Sequence, residues 1–228
     1  GLVFALPLAW FWWRGALSSY LRPRLLALLV LGGLQGALGW AMVASGLIDR
    51  PAVSHYRLAA HLLLAIVIYA YTVWLILELG SPLARQGDPK TARKASALIG
   101  LLLVVLVWGA LMAGLRAGAS HSTFPTMSGY WIPPGLFDLS PWWINLVENG
   151  TTIQFIHRWL AKLLVLGVFA LAWWKPRPQT IAAAGMAAVQ LGLGIATILS
   201  GVDIGLATAH QAGAVLLLTA LLVVGHGA

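Results

Sequence analysis

The sequence contains no cysteine among its 228 residues. That absence excludes disulfides, thiolate metal sites and a heme attached covalently through C-x-x-C-H. Charge is nearly as scarce. Only 9% of residues are charged, with six carboxylates in all, where a soluble domain carries about 25% charged residues. What remains is 60% hydrophobic with a mean hydropathy of +0.87, against about 45–50% apolar for a soluble chain, so water is not the main solvent. An initiator methionine and a charged leader are also lacking. The chain opens Gly-Leu-Val-Phe, so residues 1–13 read as the second part of a helix rather than a signal peptide, and a further segment is expected upstream.

A bilayer-spanning helix needs about 20 mostly apolar residues. Six runs meet that length, near 25–46, 57–78, 96–114, 151–174, 180–200 and 205–225, and residues 1–13 supply a partial seventh. The fold class that follows is an all-α, multi-pass membrane protein. The net charge of +8 does not point to nucleic acid, because of where the cations fall. Arg14, Arg22, Arg24, Arg85, Arg93, Lys90, Lys94, Lys175 and Arg177 occupy alternate loops, whereas only Arg50, Arg57 and Arg116 stand in or beside the opposite ones. Nine against three is the positive-inside asymmetry. The basic loops are therefore expected on the cytoplasmic side, or the matrix side of a mitochondrial membrane, with membrane lipid as a partner and no nucleic acid.

The chain also repeats itself. Val3-Phe4-Ala5-Leu6 before Trp12-Trp13-Arg14 echoes Val168-Phe169-Ala170-Leu171 before Trp173-Trp174-Lys175. Gln35-Gly36-Ala37-Leu38-Gly39 echoes Gln190-Leu191-Gly192-Leu193-Gly194, and Leu58-Ala59-Ala60-His61 echoes Ala207-Thr208-Ala209-His210. Repeats in the same orientation imply an axis along the membrane normal and a site built twice. The expected organisation is an N-terminal half over 1–114, an outer loop over 115–150 and a C-terminal half over 151–228, completed by the helix at 96–114. The Pro-, Gly- and Trp-rich outer loop, with Tyr130, Trp131, Trp142 and Trp143, suits the membrane interface, as a lid or as a tether.

Ionisable side chains inside a bilayer are costly, so each is a functional candidate. At 1.5 Å per residue, His61, His157 and His210 lie about 6, 9 and 8 Å into their helices from the outer ends, at one shared depth. A lone helical histidine often does no more than bond a carbonyl. Three at one depth, two of them at equivalent repeat positions, favour metal ligation. Two neutral imidazoles on facing helices bind a heme iron axially, and His157 with His210 is such a pair. A zinc or di-iron site is the chemical rival, but it needs carboxylates or thiolates, which are nearly absent from the spans, and Glu78, at a cytoplasmic helix end, and Asp203, in a tight outer loop, are too far apart to serve. Arg50, Arg57, Arg116 and Arg158 are on the side where heme propionates would need cations; the alternative is an arginine that merely snorkels to water. Gly32, Gly36, Gly39, Gly192 and Gly194 read first as helix-packing positions. His55, His121 and His226 read as solvated or interfacial. Lys162, in mid-helix, has no assigned role.

These residues resemble the heme A synthase family, in its cysteine-free branch. The segments that carry the resemblance are Arg57-Leu58-Ala59-Ala60-His61, Gly109 to Gly129, Glu148 to Trp159 (ENGTTIQFIHRW) and Ala207 to Gly213 (ATAHQAG). The resemblance implies two repeated four-helix bundles, eight transmembrane helices in the complete protein with about seven represented here. It implies an oxidoreductase that converts the C8 methyl of heme O to the formyl of heme A by successive hydroxylations, for cytochrome c oxidase assembly in the bacterial inner membrane, or the mitochondrial inner membrane in a eukaryote. By the same resemblance, His157 and His210 bind a heme b cofactor and His61 ligates the substrate heme; a second N-terminal ligand is expected upstream of Gly1. Arg116 is the propionate contact singled out. A heme O synthase, an electron donor and a second copy of the chain are the partners considered. His121-Ser122 departs from the Tyr-Asn usual before Thr-Phe-Pro. The alternatives are a two-heme b-type electron-transfer cytochrome and a non-enzymatic heme carrier.

Overall fold

A computed structural model of the chain describes residues 1–46, 54–80 and 88–227. Arg50 and Arg85, named above for their charge, lie outside the described residues. The described residues are helical almost throughout: α1 (Leu2–Trp13), α2 (Leu21–Gly46), α3 (His55–Gly80), α4 (Pro89–Gly114), the single turn α5 (Asn145–Glu148), α6 (Gly150–Trp174), α7 (Pro178–Leu199) and α8 (Ile204–His226). Among them six are long and apolar enough to cross a membrane, α2, α3, α4, α6, α7 and α8, and α1 is a shorter apolar helix. The all-α membrane class read from the sequence holds.

The helices run past the apolar stretches because their ends are capped by polar residues that hydropathy does not register. α4 starts at Pro89 rather than near 96. Asp88 accepts from the Lys90 backbone N–H at 3.0 Å and from the Thr91 hydroxyl at 2.9 Å, and Pro89 fits the first helical position, where no N–H is needed. The Lys90 N–H, the Thr91 hydroxyl and the nearby Lys175 ammonium hold the Asp88 carboxyl below its ordinary value. Asn149 opens α6 by accepting from Thr152 N at 3.1 Å, and Asp203 opens α8 by accepting from Leu206 N at 3.0 Å.

By packing, the chain divides into two units, Gly1–Thr72 and Val73–Ala228. In the first, α1 packs on α2, and the basic connection between them is tied down by Arg22 Nε donating to Leu17 O at 3.0 Å. In the second, α4, α6, α7 and α8 pack on one another around Leu102, Val105, Leu164, Val168, Leu217, Leu218 and Leu221, all buried. Large apolar side chains such as Trp173, Leu166 and Leu216 remain exposed, as expected of faces that meet lipid rather than water. The Lys175 ammonium reaches Asp88 at 3.5 Å, and Lys94 Nζ sits 3.4 Å from the centre of the Trp174 ring.

The outer loop is built rather than slack. Asn145, fully buried, accepts from Leu139 N and donates to Leu139 O and Trp142 O. Gln154, equally buried, donates to Gly118 O and His121 O, both at 3.1 Å. Arg158 extends its guanidinium from α6 to Thr123 O at 2.8 Å, Thr126 O at 3.3 Å and His121 O. These groups satisfy loop carbonyls that have no helix to accept from.

Candidate functional site

Each of the three helical histidines lies against a glycine of its neighbouring helix, with a hydrogen bond to the residue four before that glycine. On α6, His157 places Nδ1 3.1 Å from the Val105 carbonyl of α4, and a Cβ added at Gly109 would stand 3.1 Å from the ring's Cε1. On α8, His210 faces α7: the Gln190 side-chain amide donates to the His210 carbonyl at 2.9 Å, and a Cβ at Gly194 would be 2.8 Å from Cε1. On α3, His61 faces α2: the Gln35 amide donates to the His61 carbonyl at 3.1 Å, and a Cβ at Gly39 would be 3.1 Å from Cε1. Residues i and i+4 share a helix face. Gln35 with Gly39, Val105 with Gly109 and Gln190 with Gly194 therefore each form a ledge, with a polar anchor at one end and, four residues on, the space that a methyl group would fill.

The seat has a chemical consequence. A proton on His157 Nδ1 is given to Val105 O, which leaves the Nε2 lone pair available, the arrangement metal-ligating imidazoles adopt. His210, on α8, belongs to the same four-helix unit. The Nδ1 atoms of His61 and His210 and the side-chain carbonyls of Gln35 and Gln190 are buried without a hydrogen-bond partner among the described residues. Orphaned buried polar atoms call for a ligand or water. Among the described residues no three His, Asp or Glu side chains converge, so the donors are imidazoles held singly on separate helices. That set suits a planar iron macrocycle with axial nitrogen ligands, and the residues present fit a heme.

The other residues named from the sequence sort themselves around this core. Arg116 is exposed at the start of the outer loop, with φ of +54°. Arg57 NH1 donates to the Ala41 carbonyl of α2 at 2.8 Å, and the terminal nitrogens of Arg158 serve the loop. Glu78 accepts from Trp74 Nε1 at 3.1 Å, while Asp203 caps α8. Lys162 acquires an account: lysine side chains on helices lean toward the N-terminus, and its Nζ lies 4.1 Å from the Trp159 ring centre and 6.0 Å from that of Phe124, a snorkelling cation over aromatic faces.

Two sequence expectations need correcting. His226 is not solvated: α8 continues through it, and it is buried edge-on against Trp74, with ring centroids 5.4 Å apart. The glycines are not one class either. Gly39 and Gly194 face imidazoles, whereas a Cβ at Gly32, Gly36 or Gly192 would meet nothing within 4 Å. His121 is half-buried, with Nδ1 2.9 Å from Ser128 Oγ and Nε2 3.4 Å from Thr151 Oγ1. Burial, and secondarily the Arg158 charge, push its pKa below the ordinary value. Gln35, Gln190 and the Val105–Gly109 ledge were not assigned a role from sequence. A glutamine inside an apolar run, present twice, was the available signal; Val105 acts through its backbone and gives none.

The fold and the site together define a multi-pass helical membrane protein with three helix-borne histidines, each seated against a glycine of a neighbouring helix. Residues 1–222 match the family described as cytochrome oxidase assembly protein, and the chain belongs to that family. It is similar to the heme A synthase of Rhodospirillum centenum, 49% identical over 234 residues that cover 98% of this chain and 62% of that protein. It is likewise similar to the heme A synthases of Nitrosomonas eutropha (44%, covering 97% and 66%) and Agrobacterium fabrum (45%, covering 96% and 62%). The chain thus spans less than two thirds of the length of these relatives. Its spanning helices and its family place it in the inner membrane as an integral protein.

Proposed function

We propose that the protein is a heme A synthase, oxidising the C8 methyl group of heme O to the formyl group of heme A by successive hydroxylations, in support of cytochrome oxidase assembly. The observation that carries the reading is the seat repeated at three histidines, an imidazole against a glycine with its helix anchored four residues earlier, in a chain similar to proteins of that name. In this reading residues 1–114 form the substrate half and 151–228, with the helix at 96–114, the cofactor half. His157 and His210 hold a heme b cofactor, which when bound supplies one-electron transfer. His61 ligates the substrate heme, and Arg116 contacts a propionate.

What the chain's own residues do follows from their positions. The Val105 carbonyl fixes the His157 tautomer. Gly109 and Gly194 let the rings approach the backbone, so that each is held in one orientation before a ligand arrives, and the apolar helix faces keep water out. Arg158, Gln154 and Asn145 hold the outer loop over the end of α6. A heme-O-forming enzyme as supplier, an electron donor and self-association are the partners that fit this role.

Purification in mild detergent, a reduced-minus-oxidised spectrum and chromatographic identification of the extracted hemes test the reading. Heme b together with heme O, a hydroxylated intermediate or heme A is the expected result. Heme b alone in two occupied sites would overturn it in favour of a two-heme electron-transfer cytochrome. A finer expectation concerns the seat. Gly194→Ala puts a methyl group 2.8 Å from His210 Cε1, and disturbing the support of a metal ligand costs about 10–100-fold in affinity. Gly194→Ala is therefore expected to lose heme b during purification, whereas Gly185→Ala, where a Cβ meets nothing within 4 Å, retains it. Equal heme content in the two variants would dismiss the ledge.

A further inference from the structure

The repeat is asymmetric at the imidazole. Between α7 and α8 the Gln190 amide nitrogen bonds the His210 carbonyl. Between α2 and α3 the equivalent Gln35 amide nitrogen bonds the His61 carbonyl and also stands 3.1 Å from His61 Nε2. An amide NH2 has donors and no acceptor. The contact is a hydrogen bond when His61 carries its proton on Nδ1 and offers the Nε2 lone pair. That lone pair is the one an iron needs.

We propose that Gln35 is a displaceable cap on His61: its N–H occupies Nε2 while no heme is bound, and gives way when a heme iron ligates, so heme in this half is exchangeable. The inference rests on the heme A synthase reading, in which this half must admit a substrate heme and release a product. Geometry says which group moves. The His61 ring lies against Gly39, where even an added Cβ would crowd it at 3.1 Å from Cε1, so the ring has little room to move toward α2. Gln35 has three rotatable side-chain bonds, and its Oε1 has no partner to hold it. Rotation of the amide surrenders the bond to Nε2 and can keep the one to the His61 carbonyl. Among the described residues no side-chain amide bonds a ring nitrogen of His157 or His210, which matches a heme that stays. Displacing one neutral hydrogen bond lowers heme affinity by about two- to tenfold.

The test uses the complete membrane protein in detergent with its b heme in place, and ferric protoheme as the added probe. Affinity is read from a Soret difference titration and release from the rate of transfer to apomyoglobin. Gln35→Met, of equal length without the amide, and Gln35→Asn, one methylene too short to reach, are each expected to bind the probe two- to tenfold more tightly and to release it more slowly. Unchanged or weaker binding in both variants would overturn the cap. His61→Ala separates the two ideas. Loss of probe uptake there supports ligation by His61, whereas undiminished uptake would sink the heme reading of this half itself. Uptake that depends on His61 but is indifferent to Gln35 would sink the cap alone.

Discussion

His157→Ala and His210→Ala are each expected to abolish the low-spin heme b spectrum, whereas His61→Ala leaves it and removes the exchangeable heme instead. The two C-terminal imidazoles stand on α6 and α8 of one four-helix unit, and in the proposed reading both would hold the same heme. Removing either would take away one of the two nitrogens proposed to hold the heme, and with it the low-spin spectrum. The effect should approach all or none, because the buried side chains packed between these helices are mainly apolar and offer no second nitrogen in place of the imidazole. His61 lies in the other unit, so its loss is local to α2 and α3. Absorption and electron paramagnetic resonance of the purified variants decide the matter. A low-spin spectrum that survives in both C-terminal variants would require other ligands.

Arg158→Leu is expected to have the largest effect on stability among substitutions away from the histidines. Its guanidinium is buried and donates to three loop carbonyls, those of His121, Thr123 and Thr126. Hydrogen bonds from charged donors contribute about 1.5–3 kcal/mol each, and removing the donor also strands its acceptors. Because bonds within one network are not additive, the expected loss is about 3 kcal/mol overall, roughly 6–12 °C in melting temperature for a chain of this size. The damage should be localised, with protease cutting within 115–150 before the helices melt. Arg158→Lys keeps the charge but lacks the fork that spans separate carbonyls, and should fall between. A melting temperature within about a degree of wild type for Arg158→Leu would show that the loop is held by Asn145 and Gln154 without it.

Much of this protein was legible before any coordinates. The spanning helices follow from length and hydropathy, since a bilayer leaves a backbone little choice but to bond within itself. Their ends were less legible, because Asp88, Asn149 and Asp203 cap through short polar side chains that a hydropathy window averages away. The three histidines stood out for the same reason as the helices: in so apolar a chain, an imidazole is conspicuous. Lys162 was conspicuous too, but its partners Trp159 and Phe124 come from the helix and the loop together, and the loop's path is not written in any period. His226 misled, because position near a chain end says nothing of whether a helix carries the residue inward.

The sequence by itself determined the solvent, the helices, the repeat and the identity of the three imidazoles, because each depends on composition and spacing along one strand of chain. Only the tertiary structure decided what each imidazole faces. Nothing in one dimension pairs Gly109 with His157, gives Val105 a role through its carbonyl, commits Arg158 to the outer loop, or distinguishes Gln35 from Gln190. Those are contacts between helices that are 20 to 50 residues apart in sequence, and they are fixed by how side chains pack across the space between the helices.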